Sequence, residues 1–371
     1  MTGELLIYGS YGYTGSLIAR GAVDAELSPT LAGRRAEPVE EQATTLDCDH
    51  RVFSLEHRSV VEAEIADADV VLNCAGPFSR TARPLYEACI EAGADYLDIT
   101  GEIDVLEAIA ERDRAAERAG VTLLPAVGFD VVPTDCLAAF LHEQLPEATR
   151  LALAIDGVGT ASGGTLKSVI EGLGTPGAIR DEGVLREVPA AWKVREIDFG
   201  PRLQPTGGRT EHGGAGEADV RTGVTIPWGD VSTGYRTTGI PNVEVYAAVP
   251  ERAVWAMRKS RALAPLLRAA PVKRALEAVV DATVSGPTAE ERSRNSCRIW
   301  GEVLDGDDAV VARMRTPDPY ELTANTAVEA ARRALDGEVP DGFQTPASAF
   351  GPEFALSFDG VDREIVDPTA R

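Results

Sequence analysis

Short apolar runs and amphipathic stretches alternate along the first 135 residues of the chain. The clearest apolar run, Asp69–Pro77, is almost continuous, which is typical of a strand buried on both faces of a sheet. Strands that alternate with amphipathic helices form parallel sheets covered by helices on both faces. We therefore predict an α/β fold with a Rossmann-type, doubly wound parallel sheet, a single helix over Ile103–Ala119, and strands at Glu4–Tyr8, Thr30–Ala32, Arg51–Phe53, Val70–Cys74, Tyr96–Asp98 and Thr122–Pro125.

The pattern changes after residue 135, where alternating stretches are separated by glycine-rich turns. Such a pattern favours a second α+β domain built on a mostly antiparallel sheet. We expect domains at 1–135 and 136–345, and a C-terminal segment, 346–371, that packs back on the first domain. The strands and helices expected in this part are Leu151–Ile155, Leu166–Leu173 (helix), Val188–Val194, Val220–Ile226, Val243–Val249, Cys297–Leu304, Asp308–Arg315 and Ala324–Leu335 (helix).

A glycine-rich turn, Gly9–Gly15 (G-S-Y-G-Y-T-G), follows the first predicted strand and precedes an amphipathic helix. In a dinucleotide fold, Gly9 would allow the tight turn and Gly12 the approach of a pyrophosphate. Gly15 would let the helix pack closely on the strand, and the phosphates would lie at the positive end of that helix. The spacing also occurs in ordinary turns, but its place between strand and helix favours cofactor binding.

The second predicted strand ends in Gly33-Arg34-Arg35. Enzymes that use NAD place an acidic residue near this point to bind the ribose 2′-hydroxyl. A guanidinium at this point would instead hold a 2′-phosphate. We therefore predict NADP(H) as the cofactor, with Arg34 as its main contact, although two exposed arginines could also simply begin a helix.

The nicotinamide is expected near the ends of the strands, around Ala75–Phe78 and Asp98–Glu102. The protein would position it and supply a proton, and a buried carboxyl of raised pKa can do so. Asp98, Glu102 and Asp130 are the candidate catalytic acids, although a turn cap or a loop closure would equally explain such residues. The predicted cofactor-binding residues are Gly9, Tyr11, Gly12, Tyr13, Thr14, Gly15, Arg34, Arg35, Ala75, Gly76, Pro77, Gly128 and Phe129.

The 371-residue chain has a formal net charge of −23, which argues against nucleic acid as a partner. Of its 36 basic residues only four are lysines, and high acid with little lysine leads us to hypothesise a halophilic source. The five scattered cysteines form no C-x-x-C motif, which favours reduced thiols and a cytoplasmic location. The four histidines do not cluster with them, so no metal site is predicted. No apolar run has the length of a transmembrane segment.

A basic amphipathic stretch, 251–280, stands out in this acidic chain. It would suit peripheral contact with a membrane surface or a cover over a lipid-like substrate. Packing against its own domain or a dimer partner also explains the stretch, and this alternative is favoured. A homodimer is expected through the sheet of the second domain.

Several segments together are more specific than any one of them. The segments are Gly9–Gly15, Ala32–Arg35, Val71–Phe78, Tyr96–Glu102, Gly128–Asp130, Pro133–Asp135, Gly286–Arg292 and Gly342–Ala349. In this order they resemble the saccharopine dehydrogenase-like oxidoreductases, most of all the trans-acting enoyl reductases. The resemblance implies an NADP-binding Rossmann domain with a second α/β domain and leaves the substrate open.

Two functions remain open at this point. The first is an NADPH-dependent reductase of a C=C or C=N bond in a hydrophobic metabolite. The second is a regulatory protein that binds NADP without turnover. The short-chain reductases share the glycine spacing but need a tyrosine followed four residues later by a lysine, and this chain has no such pair.

Overall fold

The computed structural model describes residues 3–157, 170, 174–201, 218–260, 269–283 and 286–366. Its first sheet has seven parallel strands in the order β15-β6-β5-β4-β1-β2-β3, so the predicted fold class is confirmed. These strands are β1 (Leu5–Tyr8), β2 (Thr30–Gly33), β3 (His50–Val52), β4 (Val70–Asn73), β5 (Asp95–Asp98), β6 (Thr122–Leu124) and β15 (Gly342–Phe343).

The central strands of this sheet are buried on both faces, as their apolar runs predict. Leu6 and Ile7 on β1, and Val71 and Leu72 on β4, are fully buried against helices on opposite sides. The helices that follow the strands are α1 (Tyr13–Asp24), α2 (Ala36–Leu46), α3 (Arg58–Ile65), α4 (Phe78–Ala92), α5 (Ile103–Ala110), α6 (Asp113–Ala119) and α7 (Val132–Gln144).

The prediction of one helix over Ile103–Ala119 is wrong, because the chain forms two helices there. The break falls at Glu111 and Arg112, whose backbone N–H groups close the end of α5. From this break the Arg112 guanidinium pairs with Glu87 on α4. The interruption therefore coincides with a contact between helices that are distant in sequence.

The second sheet is mixed and mostly antiparallel, as expected. Its main path is β10-β11-β12-β7-β13-β14-β16, with β8 and β9 attached to β12, and only β12 and β7 pair in parallel. The strands are β7 (Arg150–Asp156), β8 (Gly177–Asp181), β9 (Val184–Val188), β10 (Val194–Asp198), β11 (Val220–Thr225), β12 (Asn242–Ala248), β13 (Ser296–Asp305), β14 (Asp308–Pro317) and β16 (Asp362–Val366).

The predicted strand Val188–Val194 is wrong, since Val188 ends β9 and Val194 begins β10. Pro189, directly after β9, has no N–H to donate to a neighbouring strand, and Ala191 adopts a left-handed conformation with φ of 52°. The predicted helix Leu166–Leu173 lies outside the described residues except for Ile170. The remaining helices are α8 (Asp230–Thr238), α9 (Glu251–Ser260), α10 (Ala270–Thr283), α11 (Ala289–Arg294), α12 (Pro319–Leu335), α13 (Pro346–Phe350) and a 3₁₀ helix (Phe354–Ser357).

Late segments of the chain return to the first sheet. Helix α12 packs its alanine-rich face on α1 and β4, and β15 pairs with β6. We therefore propose that the first domain comprises residues 1–135 together with 319–343. In the C-terminal segment, Phe350 packs near α12, whereas β16 pairs with β14 and so lies on the second sheet rather than the first, contrary to expectation.

The two domains are joined by a partly buried polar cluster around Glu107 on α5. Its carboxylate accepts hydrogen bonds from Ser232 (2.7 Å) and Arg236 (2.6 Å) on α8, and pairs with Arg180 on β8. Burial alone would raise the pKa of Glu107, but the Ser232 hydroxyl and the two guanidiniums hold it below its ordinary value. In the described part of the chain, no helix combines the length and apolarity needed to cross a membrane.

Candidate functional site

The glycine-rich turn lies at the carboxyl edge of the first sheet, between β1 and α1. Gly9 has a φ of 81°, and a Cβ added there would lie 2.8 Å from Ala75 at the end of β4. At Gly15, a Cβ would collide with the carbonyl oxygen of Gly9. These two positions therefore require glycine, one for the turn and one for the close packing of α1.

The first turn of α1 carries the features of an anion site. Gly12 is the N-cap residue and provides no side chain to cap the helix, and the first turn contains no acidic residue. The N–H groups of Tyr13, Thr14 and Gly15 belong to this first turn, whose dipole favours a negative ligand. The Ser10 hydroxyl in the same turn is fully buried and has no hydrogen-bond partner among the residues that the structure describes. The free N–H groups of this first turn and the unpaired Ser10 hydroxyl fit a bound dinucleotide pyrophosphate.

Two exposed arginines follow the end of β2. The Tyr11 ring lies directly over Gly33, and the Arg35 guanidinium stands 4.9 Å from the centre of that ring. Within the described residues, neither Arg34 nor Arg35 forms an ion pair with a carboxylate. Both therefore keep their charge available for a ligand beside the glycine-rich turn.

Tyr13 was predicted to bind the cofactor, and its side chain points to the second domain. The hydroxyl donates to the carbonyl of Pro287 at 2.5 Å and accepts from Arg292 Nη1 at 2.9 Å. Its ring packs edge-on against Tyr320, with the ring centres 5.0 Å apart. The Tyr13 side chain is therefore engaged with the second domain, while its backbone N–H belongs to the first turn of α1.

The loop after β4 lies beside the glycine-rich turn. Ala75 contacts Gly9, and Gly76 and Pro77 lead into the first turn of α4. By contrast, Gly128 and Phe129 face α12: the Phe129 N–H donates to Thr323 Oγ1 at 2.9 Å, and its ring is buried between the domains. Ala75, Gly76 and Pro77 therefore lie next to the glycine-rich turn, whereas the Phe129 ring lies away from it.

Asp98, at the end of β5, is fully buried and makes three hydrogen bonds. One oxygen accepts from the N–H groups of Thr100 (3.0 Å) and Ala126 (2.9 Å), and the other accepts from the Tyr96 hydroxyl (2.8 Å). Burial raises the pKa of Asp98 to about 6, against the effect of these donors. The arrangement ties the loops after β5 and β6 together and occupies both oxygens.

Glu102 caps helix α4. Its two carboxylate oxygens accept hydrogen bonds from the N–H groups of Phe78 (2.8 Å) and Ser79 (2.9 Å), the first two residues of that helix. A carboxylate in this place also interacts favourably with the helix dipole. The side chain is therefore engaged in a structural contact.

Asp130, in the loop after β6, differs from Asp98 and Glu102 in its hydrogen bonding. Its carboxyl lies against Gly101, where an added Cβ would be 3.0 Å from Asp130 Oδ2. No hydrogen bond to this carboxyl is present among the described residues. Burial raises its pKa to about 6. Asp130 is thus the predicted acid that keeps its oxygens available for a ligand.

The sequence reasoning did not select Trp228, which follows β11. Its indole Nε1 donates to the backbone carbonyl of Asp130 at 2.5 Å, which places an aromatic side chain from the second domain beside the candidate acid. The sequence shows an aromatic residue in a Pro-Trp-Gly loop, which could have indicated a ligand contact. It does not show that Trp228 contacts Asp130, because the two residues are 98 positions apart.

Two further acids lie buried between α7 and α8. Asp135 accepts hydrogen bonds from Thr237 and from the N–H of Ala347, and Asp230 accepts one from Thr134 at 2.9 Å. Burial raises the pKa of both carboxyls. Asp135 is thus hydrogen-bonded through both oxygens, whereas Asp230 keeps one buried oxygen, Oδ1, without a hydrogen-bond partner among the described residues.

The described residues contain no group of histidine, cysteine and acidic side chains arranged to hold a metal ion. All five cysteines are free. Burial raises the pKa of the Cys74 thiol near the end of β4, so this thiol is neutral at ordinary pH.

Residues 5–124 match the family model described as the saccharopine dehydrogenase NADP binding domain. The chain is 32% identical over 152 residues to a trans-acting enoyl reductase of Mycobacterium leprae, covering 39% of this chain and 36% of that protein. It is 30% identical over 231 residues to the human saccharopine dehydrogenase-like oxidoreductase, covering 54% of this chain and 52% of that protein. The matched regions thus span about half, or less, of these relatives.

Among solved structures, the fold is similar to apo saccharopine dehydrogenase (L-Glu forming) from Saccharomyces cerevisiae. The TM-score is 0.59 at 11% identity, covering 98% of this chain and 100% of that chain, so the likeness concerns the fold alone. The resemblance seen in the sequence motifs is confirmed. Residues 5–124 thus form a nicotinamide dinucleotide-binding domain of the saccharopine dehydrogenase type, and the chain is similar to a saccharopine dehydrogenase-like oxidoreductase over about half of its length.

Proposed function

We propose that this protein is an NADPH-dependent oxidoreductase that reduces a C=C or C=N bond in a hydrophobic small molecule. The family of its first domain and the name of the enoyl reductase relative support an oxidoreductase of this kind. The bound dinucleotide would supply the hydride, and the protein would supply position and a proton.

The choice of NADP(H) over NAD(H) rests on the end of β2. Arg34 and Arg35 are exposed and without carboxylate partners in the described part of the chain. A 2′-phosphate carries charge that a guanidinium can bind through two parallel hydrogen bonds. Arg34 would be the main contact, and Arg35, stacked on Tyr11, would support it.

A titration with NADPH and NADH, followed by nucleotide fluorescence in molar salt, tests the cofactor. We expect Arg34→Ala to weaken NADPH binding on the order of tenfold, as the loss of a charge-assisted contact does, and to leave NADH binding unchanged. Arg20→Ala is the matched control, since Arg20 is exposed on α1. Equal NADPH affinity in wild type and Arg34→Ala would contradict the assignment.

Asp130 carries the catalytic part of the proposal. Its carboxyl combines a pKa of about 6 with the lack of a hydrogen-bond partner among the described residues. It would hold a proton below that pH and pass it to the substrate atom that becomes basic during reduction. Trp228 beside it would offer an apolar surface to the substrate.

A second candidate is a regulatory protein that binds NADP without turnover. The observation in its favour is that Asp98 and Glu102 are engaged in structural hydrogen bonds, so only Asp130 remains of the three predicted acids. NADPH oxidation with cyclohexenone or a cyclic imine separates the two functions. Turnover that depends on Asp130 supports the reductase, and tight NADPH binding without turnover supports the regulator.

We further propose that helix α9 is a contact surface. Helix α9 exposes Trp255 (65% accessible) beside Lys259, as a surface that contacts a membrane, a lipid-like substrate or a partner subunit would. Vesicle flotation and sedimentation would separate membrane contact from a homodimer. For a halophilic, cytoplasmic protein, we expect unfolding on transfer to low salt, and full stability without salt would contradict that proposal.

A further inference from the structure

A segment of the second domain, 286–292, lies on the first turn of α1. Gly286 approaches so closely that a Cβ there would lie 2.6 Å from the Tyr13 ring. The Pro287 carbonyl accepts the Tyr13 hydroxyl at 2.5 Å. This segment is one of the motifs on which the family resemblance rests, and the function proposed above gives it no role.

Arg292 is held at this contact by local structure. Thr288 and Glu291 form a capping box at the start of α11, which fixes the helix that carries Arg292. The Arg292 guanidinium donates through Nη1 to the Tyr13 hydroxyl (2.9 Å) and to the Pro287 carbonyl (3.2 Å). Its Nε and Nη2 have no partner among the described residues.

The absence of a carboxylate partner among the described residues distinguishes Arg292 from Arg298 and Arg313 of the second domain. Arg298 pairs with Asp219 at 2.8 Å, and Arg313 pairs with Asp198 at 2.6 Å. In the part of the chain that the structure describes, Arg292 forms no ion pair, although the protein has 59 acidic and 36 basic residues. An uncompensated guanidinium in so acidic a protein favours an anion from outside the chain.

We propose that Arg292 binds the pyrophosphate of the dinucleotide, so that the second domain completes the cofactor site. Tyr13 links the two parts, because its N–H belongs to the first turn of α1 while its hydroxyl holds Arg292. A guanidinium adds charge-assisted hydrogen bonds to an anion already favoured by the helix N-terminus. This inference rests on the proposed function, since it requires that a dinucleotide binds at the glycine-rich turn.

The pyrophosphate is common to NADPH and NADH, whereas the 2′-phosphate is not. Loss of Arg292 should therefore weaken both nucleotides by the same factor, and loss of Arg34 should weaken NADPH alone. The matched control is Arg294→Ala, because Arg294 lies on the same helix, is exposed and pairs with Glu290 at 2.6 Å.

The experiment measures the Kd of NADPH and NADH by nucleotide fluorescence for wild type, Arg292→Ala, Arg294→Ala and Arg34→Ala. We expect Arg292→Ala to raise both Kd values on the order of tenfold. Arg294→Ala should leave them unchanged. Arg292→Lys keeps the charge but loses the planar guanidinium, so it should raise the two Kd values less than Arg292→Ala does. It replaces Arg292→Ala in the experiment if the alanine variant does not fold.

Unchanged Kd values in Arg292→Ala, together with NADPH weakened in Arg34→Ala, would overturn the inference and leave the proposed cofactor intact. A loss confined to NADPH would also overturn it, because it would assign Arg292 to the 2′-phosphate. Tyr13→Phe removes the docking hydroxyl but leaves the guanidinium. An equal loss in Tyr13→Phe and Arg292→Ala would mean that Arg292 only docks the domains. Binding of neither nucleotide to the wild type would refute the proposed function and this inference together.

Discussion

The loops after β5 and β6 lie side by side at one edge of the first sheet, and each contributes a carboxyl of pKa about 6. Asp98, in the first, is held by three hydrogen-bond donors. Asp130, in the second, has none among the described residues. Burial raises both pKa values, so a raised pKa does not distinguish a structural carboxyl from a candidate acid. The hydrogen bonds that each carboxyl receives make this distinction.

The largest effect we expect is on stability, from Asp98→Ala. The change would leave the N–H groups of Thr100 and Ala126 and the Tyr96 hydroxyl buried without a partner. Because each such group costs about 1–3 kcal/mol, we expect a loss of roughly 3 kcal/mol or more in the free energy of unfolding, measured with urea. Asp130→Asn is the control and should cause no such loss, because no hydrogen bond among the described residues depends on its carboxyl. Similar losses in both variants would remove the distinction between the two loops.

Next in size is the effect of Asp130→Asn on turnover. An amide of similar shape cannot donate an acidic proton, so we expect NADPH oxidation with cyclohexenone or a cyclic imine to fall about 100-fold. The wild-type rate should decline as pH rises through about 6, where Asp130 loses its proton, and the variant should lack that decline. An Asp130→Asn enzyme with the wild-type pH profile would show that another group supplies the proton.

A smaller effect is expected from Glu102→Ala, which removes the cap from α4. Loss of a helix cap costs about 1–2 kcal/mol, and we expect that decrease in urea unfolding. Glu102→Gln keeps one accepting oxygen and should lose less. If Glu102→Gln abolished turnover while leaving stability unchanged, Glu102 rather than Asp130 would be the acid.

A further effect concerns the pH dependence of stability. The pKa of Asp130 lies near 6 in the folded protein, above its ordinary value of 3.8, so the folded state binds more protons between these values. Stability from this group is therefore present below pH 4 and is lost as pH rises through 6. Such a rise in pKa is equivalent to roughly 3 kcal/mol, so Asp130→Asn should gain roughly 2–3 kcal/mol relative to wild type between pH 4 and pH 7. An unchanged difference across this range would mean that the carboxyl is not buried.

Much of the first domain could be predicted from its sequence, because its signals are local. The apolar runs of β1 and β4 and the glycines at 9 and 15 each specify a nearby conformation. The fold class and the nucleotide-binding domain followed from them. The mostly antiparallel type of the second sheet was predicted correctly, although the predicted strand over Val188–Val194 is wrong.

The roles of the candidate acids could not be predicted, because they depend on residues far away in the chain. Glu102 caps a helix that begins 24 residues earlier, and Tyr13 meets Pro287 across 274 residues. Two donors to Asp98, Tyr96 and Thr100, lie within two residues of it, but the third, Ala126, is 28 residues away. Nothing near Asp130 in the sequence shows that its carboxyl receives no hydrogen bond. Such pairings arise only when strands and helices are assembled.

The return of α12 and β15 to the first sheet has a consequence for biosynthesis. A ribosome releases β1, α1 and β4 well before residues 319–343, so the apolar face that α12 covers stays open to water until then. The nucleotide-binding half cannot finish folding during its own translation, and a nascent chain halted before residue 319 would be a substrate for chaperones. Cutting out 1–135 for expression should for the same reason yield an aggregating fragment, and adding 319–343 through a linker should rescue it.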